Sequence, residues 1–292
     1  MVDPVKVGLI GAGPWARTVT GPVLASCSET ALTGVWSRTP DNARETAAAL
    51  GTEAFTDVDA VIEASDAVAI ALVPDAQPDV AIAAARAGKP MLLEKPLAAD
   101  LDRARAVVDA IETAGVPTLL MLTNRFNPTF DAFAATAQGF DAFGGRGCFL
   151  SGAFLPGSPY ARGWRLERGA LLDVGPHLLD LLEVGLGEIL TVHAEGDVHG
   201  WVSLTITHAS GATSQASLCC NVAIESRTEI EVFGTAGSFS YDGRVADPRE
   251  VGRRIGETFA AVARGAAHEA DAARGLHLQQ IIDAAERQLA AR

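Results

Sequence analysis

Val5-Lys6-Val7-Gly8-Leu9-Ile10-Gly11-Ala12-Gly13-Pro14-Trp15-Ala16 is the stretch that decides the fold. Val5–Ile10 is a short apolar run closed by glycine, as expected of a strand buried on both faces of a parallel sheet. Pro14 suits the first turn of a helix, expected to run to about Ser26. Between strand and helix, Gly11-Ala12-Gly13-Pro14-Trp15-Ala16 fits the pattern G-x-G-x-x-G/A. The first glycine permits the tight turn, the second lets backbone approach a pyrophosphate, and a small third residue lets helix meet strand. The N–H groups at the helix start then face the phosphates.

The same alternation continues. Ala31–Trp36, Ala67–Leu72, Met91–Leu93 and Thr118–Leu122 read as strands. Helices are expected from Thr39 or Pro40 to Leu50, from Pro74 to Ala87 with Gly88 as its stop, and from an Asp100 cap to Ala114 with Gly115 as its stop. Strands and helices alternating at this spacing predict a doubly wound parallel sheet, a Rossmann unit. After Leu122 the pattern changes. Asn127–Thr136 reads as a helix, the glycine-rich Phe140–Gly147 as a loop, and Gly169–Gly185 as a helix. Val192–Val198, Val202–His208, Thr213–Cys219 and Thr228–Phe233 follow as strands without helices between them, a meander. Two helices, Pro248–Arg264 and Ala270–Ala291, end the chain. The expected class is α/β plus α+β: a Rossmann domain, 1–122, and a substrate-binding and oligomerising domain, 123–292, built on an open, mostly antiparallel sheet with helices on one face.

Bulk properties exclude several functions. A chain of 292 residues exceeds one core, so two domains are expected. A net charge of −13 repels nucleic acid. No apolar run reaches the roughly 18 residues that span a bilayer. Met1-Val2-Asp3-Pro4 lacks a basic and then apolar leader, so a cytoplasmic protein is expected. Cys27, Cys148, Cys219 and Cys220 make no metal-binding spacing and read as reduced, mostly buried thiols, and no metal is expected.

Three places carry chemistry. At the tip of the second strand, where an NAD site usually places Asp or Glu, stand Ser37 and Arg38. A hydroxyl beside a guanidinium suits a ribose 2′-phosphate, so NADP(H) is preferred, with NAD(H) as the alternative. Glu94-Lys95-Pro96 follows a buried strand at its C-terminal end, where open α/β sheets bind ligands. The chain holds 20 arginines and only three lysines, Lys6, Lys89 and Lys95, which singles out the lysine in that position. Finally, Asp173, His177 and Asp180 are spaced four and three apart and share one helical face among leucines. Carboxylates there can orient the imidazole and raise its proton affinity.

Gly11-Ala12-Gly13, Glu94-Lys95-Pro96, Asn124-Arg125-Phe126-Asn127-Pro128 and Asp173…His177…Asp180, in this order, resemble the Gfo/Idh/MocA family of oxidoreductases over nearly the full length. The resemblance implies hydride transfer at nicotinamide, usually on sugars, inositols or related polyols. It implies that Lys95, Asp173 and His177 are the catalytic set, and that Leu72, Val73, Pro74, Gln77 and Glu94 border the cofactor. Val73-Pro74 stands where a Thr and two prolines are common, and Gln77 where a histidine is frequent. In such a reaction His177, with a reference pKa near 6.5, exchanges the proton. Lys95 stabilises the developing oxyanion. Asp173 orients His177 or holds a substrate hydroxyl. Arg125, Tyr160, Arg162, Trp164, Arg165 and Asp180 are candidate substrate contacts; ordinary packing and solvated charge is the rival reading of the loop residues. The family also implies a homodimer or homotetramer through the open face of the second sheet, and the alternation in Val202–Cys219 is expected to face either that interface or a helix. Two rival functions remain, a nucleotide-sensing regulator and a glycosidase that uses tightly held NAD.

Overall fold

The computed structural model describes residues 3–245 and 247–291; Met1 and Val2 of the amino-terminal stretch read above lie outside them. The chain forms two compact units, Met1–Met121 with Arg249–Leu276, and Leu122–Pro248 with His277–Arg292.

In the first unit, β1 (Val5–Ile10), β2 (Thr30–Trp36), β3 (Glu53–Phe55), β4 (Ala67–Ile70), β5 (Met91–Leu93) and β6 (Thr118–Leu120) form one sheet in the order β3-β2-β1-β4-β5-β6. Every pairing is parallel. Strand order reverses beside β1, so the turns after β1 and β4 meet at the switch point. The strands β1, β4 and β5 are almost entirely buried because helices cover both faces. These helices are α1 (Gly21–Ser26), α2 (Pro40–Leu50), α3 (Val58–Glu63), α4 (Gln77–Arg86) and α5 (Leu101–Ala114). The carboxylate of Asp100 caps α5 by accepting from the Arg103 N–H, and Gly115 ends it at φ 65°. A π-helical segment, Ala16–Thr20, precedes α1. Pro22 lacks an N–H and its ring crowds the preceding turn, and a widened turn relieves both.

The short strand β3 and helix α3 had no expected counterpart. Neither length nor periodicity marks them, since β3 is only three residues long. One stretch expected in the second domain, 123–292, belongs elsewhere: Arg249–Leu276, with nearly all of α8 (Pro248–Ala263), packs with the first unit. Phe259 of α8 is fully buried. The Leu120 N–H donates to the Ala270 carbonyl at 2.7 Å, and the Thr118 hydroxyl accepts from Ala272 N–H at 3.0 Å. The returning chain thereby covers the edge strand β6, which would otherwise expose unpaired backbone.

In the second unit, β7 (Ala142–Leu150), β8 (Ile189–Gly196), β9 (Val202–His208), β10 (Thr213–Cys219), β11 (Arg227–Gly234) and β12 (Gly237–Asp242) run in the order β12-β11-β7-β10-β9-β8. All pairs are antiparallel except β7 with β10, so the sheet is mixed. Helices α6 (Pro128–Ala137) and α7 (Trp164–Leu186) belong to this unit, as does most of α9 (Ala272–Ala290). The expected loop Phe140–Gly147 is instead largely the central strand β7. Its glycines serve packing: a Cβ on Gly145 would lie 2.8 Å from Leu186, and one on Gly147 would lie 3.1 Å from Leu178. They let α7 lie close on the sheet. The alternation in β9 and β10 buries Val202, Leu204, Ile206, Ala216 and Leu218, and α7 packs against both strands. Ser203, Thr205, Thr207, Thr213 and Gln215 occupy the other face and are exposed. The apolar alternation therefore serves the helix, and the open face is polar.

Candidate functional site

The glycine turn is shaped by one close approach. Gly11 has φ 125°, and a Cβ there would fall 2.2 Å from the Ala71 carbonyl oxygen. Any other residue would push β1 and β4 apart. Gly13 is exposed, and a Cβ built on it meets no atom within 4 Å. Its backbone is therefore uncovered, and the helical turn starts at once with Pro14. Ala12 and Ala16 are buried, and Pro14 and Trp15 half-buried. The residues present thus fit the phosphate end of a dinucleotide. Sequence reading missed Arg17. Its Nε donates to the Ala12 carbonyl at 3.0 Å, while Nη1 and Nη2 reach Glu45 and Asn42 on α2, both at 3.1 Å. It straps the turn to α2, and nothing in its spacing signals this.

Ser37 lies directly after β2, and its hydroxyl accepts from the Thr39 N–H at 3.4 Å. Arg38 is exposed. Leu72 is half-buried, Val73 is exposed and Pro74 is buried in the turn after β4. Next to it, Glu94-Lys95-Pro96 leaves β5, whose last residue Leu93 pairs with Ile70 of β4. Glu94 and Lys95 are half-buried, and the Lys95–Pro96 peptide is cis. Gln77, expected to border the cofactor, is only 1% exposed. Its Nε2 donates to the carbonyls of Glu94 (2.7 Å), Leu97 (3.1 Å) and Pro96 (3.2 Å), and its Oε1 accepts from the Glu94 N–H at 3.0 Å. This amide is engaged by protein backbone, so the structure gives Gln77 a place behind the loop instead of at a ligand surface.

In the second unit α7 carries the acids. The helix breaks at Gly169, φ 77°, where a Cβ would fall 2.2 Å from the Val198 carbonyl. Beyond the break Asp173, His177, Asp180 and Glu183 are all buried on one face. Glu183, three residues beyond Asp180, continues that spacing and was legible in the sequence but not selected. Three of the four hold basic partners. Arg165 Nε donates to both Asp173 oxygens at 3.2 and 3.3 Å. Arg125 grips Asp180 bidentately at 2.8 and 2.9 Å. His277 Nε2 lies 2.7 Å from Glu183 Oε1, which also accepts from the Ile189 N–H. The His177 ring lies 6.0 Å from that of Phe149 on β7, tilted by 33°.

The expected substrate contacts separate into two groups. Tyr160, Trp164 and Arg165 come together: the Arg165 guanidinium lies over both rings, 5.4 Å from Tyr160 and 4.7 Å from Trp164. With Asp173 they form one cluster of aromatic faces and charge. Arg162 is exposed beside it. Arg125 and Asp180, expected as substrate contacts, bond to each other instead. Their side chains are 7% and 1% exposed, and each occupies the other, so they brace η-turn Thr123–Phe126 against α7 rather than meeting a ligand. None of the four cysteines is in a disulfide, and three of them are buried. Burial, then the Glu229 carboxylate, pushes the Cys148 thiol above its ordinary range, which keeps it a poor nucleophile.

Residues 5–121 match the model of an oxidoreductase family with an NAD-binding Rossmann fold, and residues 145–240 match the Gfo/Idh/MocA C-terminal domain. The chain belongs to the Gfo/Idh/MocA oxidoreductase family. It is 30% identical over 252 residues to a 1,5-anhydro-D-fructose reductase of Ensifer adhaerens, covering 79% of this chain and 74% of that one. It is 33% identical over 172 residues to a D-apiose dehydrogenase of Paraburkholderia graminis, where the match covers 53% of this chain and spans only 45% of the relative's length. Its fold matches that of a levoglucosan dehydrogenase solved with NADH and levoglucosan, with a TM-score of 0.85 at 22% identity, over 99% of this chain and 98% of that one. Among the described residues no helix is long and apolar enough to cross a membrane.

Proposed function

We propose that this protein is an NADP(H)-preferring dehydrogenase or reductase acting on a hydroxyl or carbonyl carbon of a sugar, inositol or related polyol. The observation that carries the reading is the turn at Gly11–Gly13, closed against Ala71 and open above Gly13, at the same sheet edge as Lys95. The family membership and the sugar-directed names of the relatives support the substrate class. Gly11–Ala16 would hold the pyrophosphate and Ser37 with Arg38 the ribose end, since no carboxylate stands at the tip of β2 to repel a 2′-phosphate. When bound, a nicotinamide supplies or accepts a hydride.

The chain's own residues supply the rest. In the first unit Lys95 places a positive charge where an alkoxide develops. In the second, His177 gives or takes the hydroxyl proton. Asp173, with Arg165, Tyr160 and Trp164, forms a polar and aromatic surface suited to a sugar's hydroxyls and its apolar ring face. A homodimer or homotetramer joined through the polar open face of the second sheet completes the reading.

The test is a screen of sugars, inositols and keto-sugars for a change in absorbance of NADP(H) and NAD(H). The expected result is turnover with at least one, faster per molar dinucleotide with NADP(H). Binding of neither dinucleotide by calorimetry would sink the proposal.

A further inference from the structure

The carbonyl and N–H of Glu94 both bond to Gln77 Nε2 and Oε1, as they would to the backbone of a neighbouring strand. The ladder of β5 ends at Leu93, so the side-chain amide of Gln77 extends its pairing by one residue. The same Nε2 also reaches the carbonyls of Pro96 and Leu97, on the far side of Lys95. Lys95 thus has a bonded peptide group on each side. Gln77 is itself fixed, since its N–H donates to the Val73 carbonyl at 3.1 Å and it begins α4. One residue joins the turn after β4 to the loop after β5, and no water competes at a side chain that is 1% exposed.

We propose that Gln77 is the positioning residue for Lys95, acting through the backbone of Glu94, Pro96 and Leu97 and not by touching the dinucleotide. This rests on Lys95 being the group that faces the reacting oxygen. A primary amide carries two N–H donors and an oxygen acceptor on one rigid plane. A neutral histidine at this position offers one donor and one acceptor, and a thioether of the same length offers no donor. Removing the amide therefore frees the loop without opening a large cavity, and Lys95 loses its fixed place.

The test uses Gln77→Met and Gln77→His in the intact chain. With only three lysines, ¹³C-methylated protein gives separate Lys6, Lys89 and Lys95 signals without any dinucleotide or substrate. In Gln77→Met the Lys95 signal is expected to shift and broaden while those of Lys6 and Lys89 stay in place, and in Gln77→His it returns part of the way. With substrate, Gln77→Met is expected to lose about 10- to 100-fold in kcat, the scale of an ångström-sized misplacement, with dinucleotide affinity unchanged within about twofold. Adding Gln77→Met to Lys95→Ala should cause no further loss. An unmoved Lys95 signal overturns the proposal, as does weakened dinucleotide binding at normal kcat, which would make Gln77 a cofactor contact. Failure of both variants to fold also overturns it, because the side chain would then hold up the whole unit. If the wild-type chain turns over nothing, the proposed reaction fails, while the Lys95 signal still decides the role of Gln77.

Discussion

Glu94–Leu97 in the first unit is held by neutral hydrogen bonds from one side-chain amide to backbone, whereas Asp173 and Asp180 on α7 are each held by an arginine. Backbone bonding fixes where a loop runs. Charge pairing fixes the side chains themselves and makes each acid depend on its partner. The first arrangement is insensitive to salt; the second is screened by it, most where a pair is partly exposed, as Arg165 with Asp173 is. If both regions serve one reaction, disabling either should stop it. Lys95→Ala and His177→Ala are each expected to lower kcat by about 10²- to 10⁴-fold with dinucleotide affinity retained, measured by steady-state turnover and calorimetry. Normal turnover in either variant would break the comparison, since one region would then have no part in the chemistry.

The charged region makes a sharper claim of its own. Arg125→Leu leaves the Asp180 carboxylate buried and uncompensated, which costs about 3–5 kcal/mol. Denaturant unfolding should show that loss as a lower midpoint, and the double variant Arg125→Leu/Asp180→Leu should recover most of it. Arg165→Leu should behave differently. Arg165 is 24% exposed against 7% for Arg125, so solvent screens its pair and the stability change is about 1 kcal/mol, with the larger effect expected on the Michaelis constant for the proposed substrate. Equal destabilisation by the two arginine variants would remove the distinction between the buried pair and the partly exposed one.

In the first unit the equivalent contrast is between a turn shaped by backbone and a tip shaped by charge. Arg38→Ala should weaken NADPH about tenfold, or about 1.4 kcal/mol, and NADH less than about twofold, by calorimetric titration. Equal weakening of both would refute the NADP assignment.

These differences track what could be read from the residues. The turn at Gly11–Ala16, the doubly wound parallel sheet it starts and the place of Lys95 after β5 were legible, because a parallel sheet's apolar runs and glycine stops are local signals. On α7, spacing alone put Asp173, His177 and Asp180 on one face. Their partners were not legible: Arg125 is 55 residues from Asp180, and only the fold brings them together. Gln77 was read as a ligand contact for the same reason, since its four bonds go to residues 17 to 20 positions away. Glycine misled once. In β7 it signals close approach of a helix, whereas in a loop it signals a turn, and composition does not separate the two. The return of Arg249–Leu276 to the first unit left no mark at all, because an amphipathic helix does not state which core it covers.

The smallest expected effect sets two buried histidines of the second unit apart. His208, unlike His177, lies between a carbonyl and a hydroxyl: Nδ1 is 2.7 Å from the Gly187 oxygen and Nε2 is 2.8 Å from Ser214 Oγ. A carbonyl only accepts, so Nδ1 carries the proton and Nε2 accepts from serine. Burial lowers the pKa of this ring, outweighing the Gly187 bond and the Glu183 charge, both of which raise it. The folded protein therefore keeps His208 neutral at a pH where the unfolded chain, titrating near 6.5, has begun to take up a proton. Folding stability from this residue is complete above that pH and is lost progressively as pH falls from there toward the lower folded value. His208→Gln keeps one donor and one acceptor and cannot titrate. Thermal unfolding between pH 8 and pH 5 should therefore show a shallower decline for His208→Gln than for the wild-type chain. Parallel curves would mean that protonation of His208 contributes nothing to acid destabilisation.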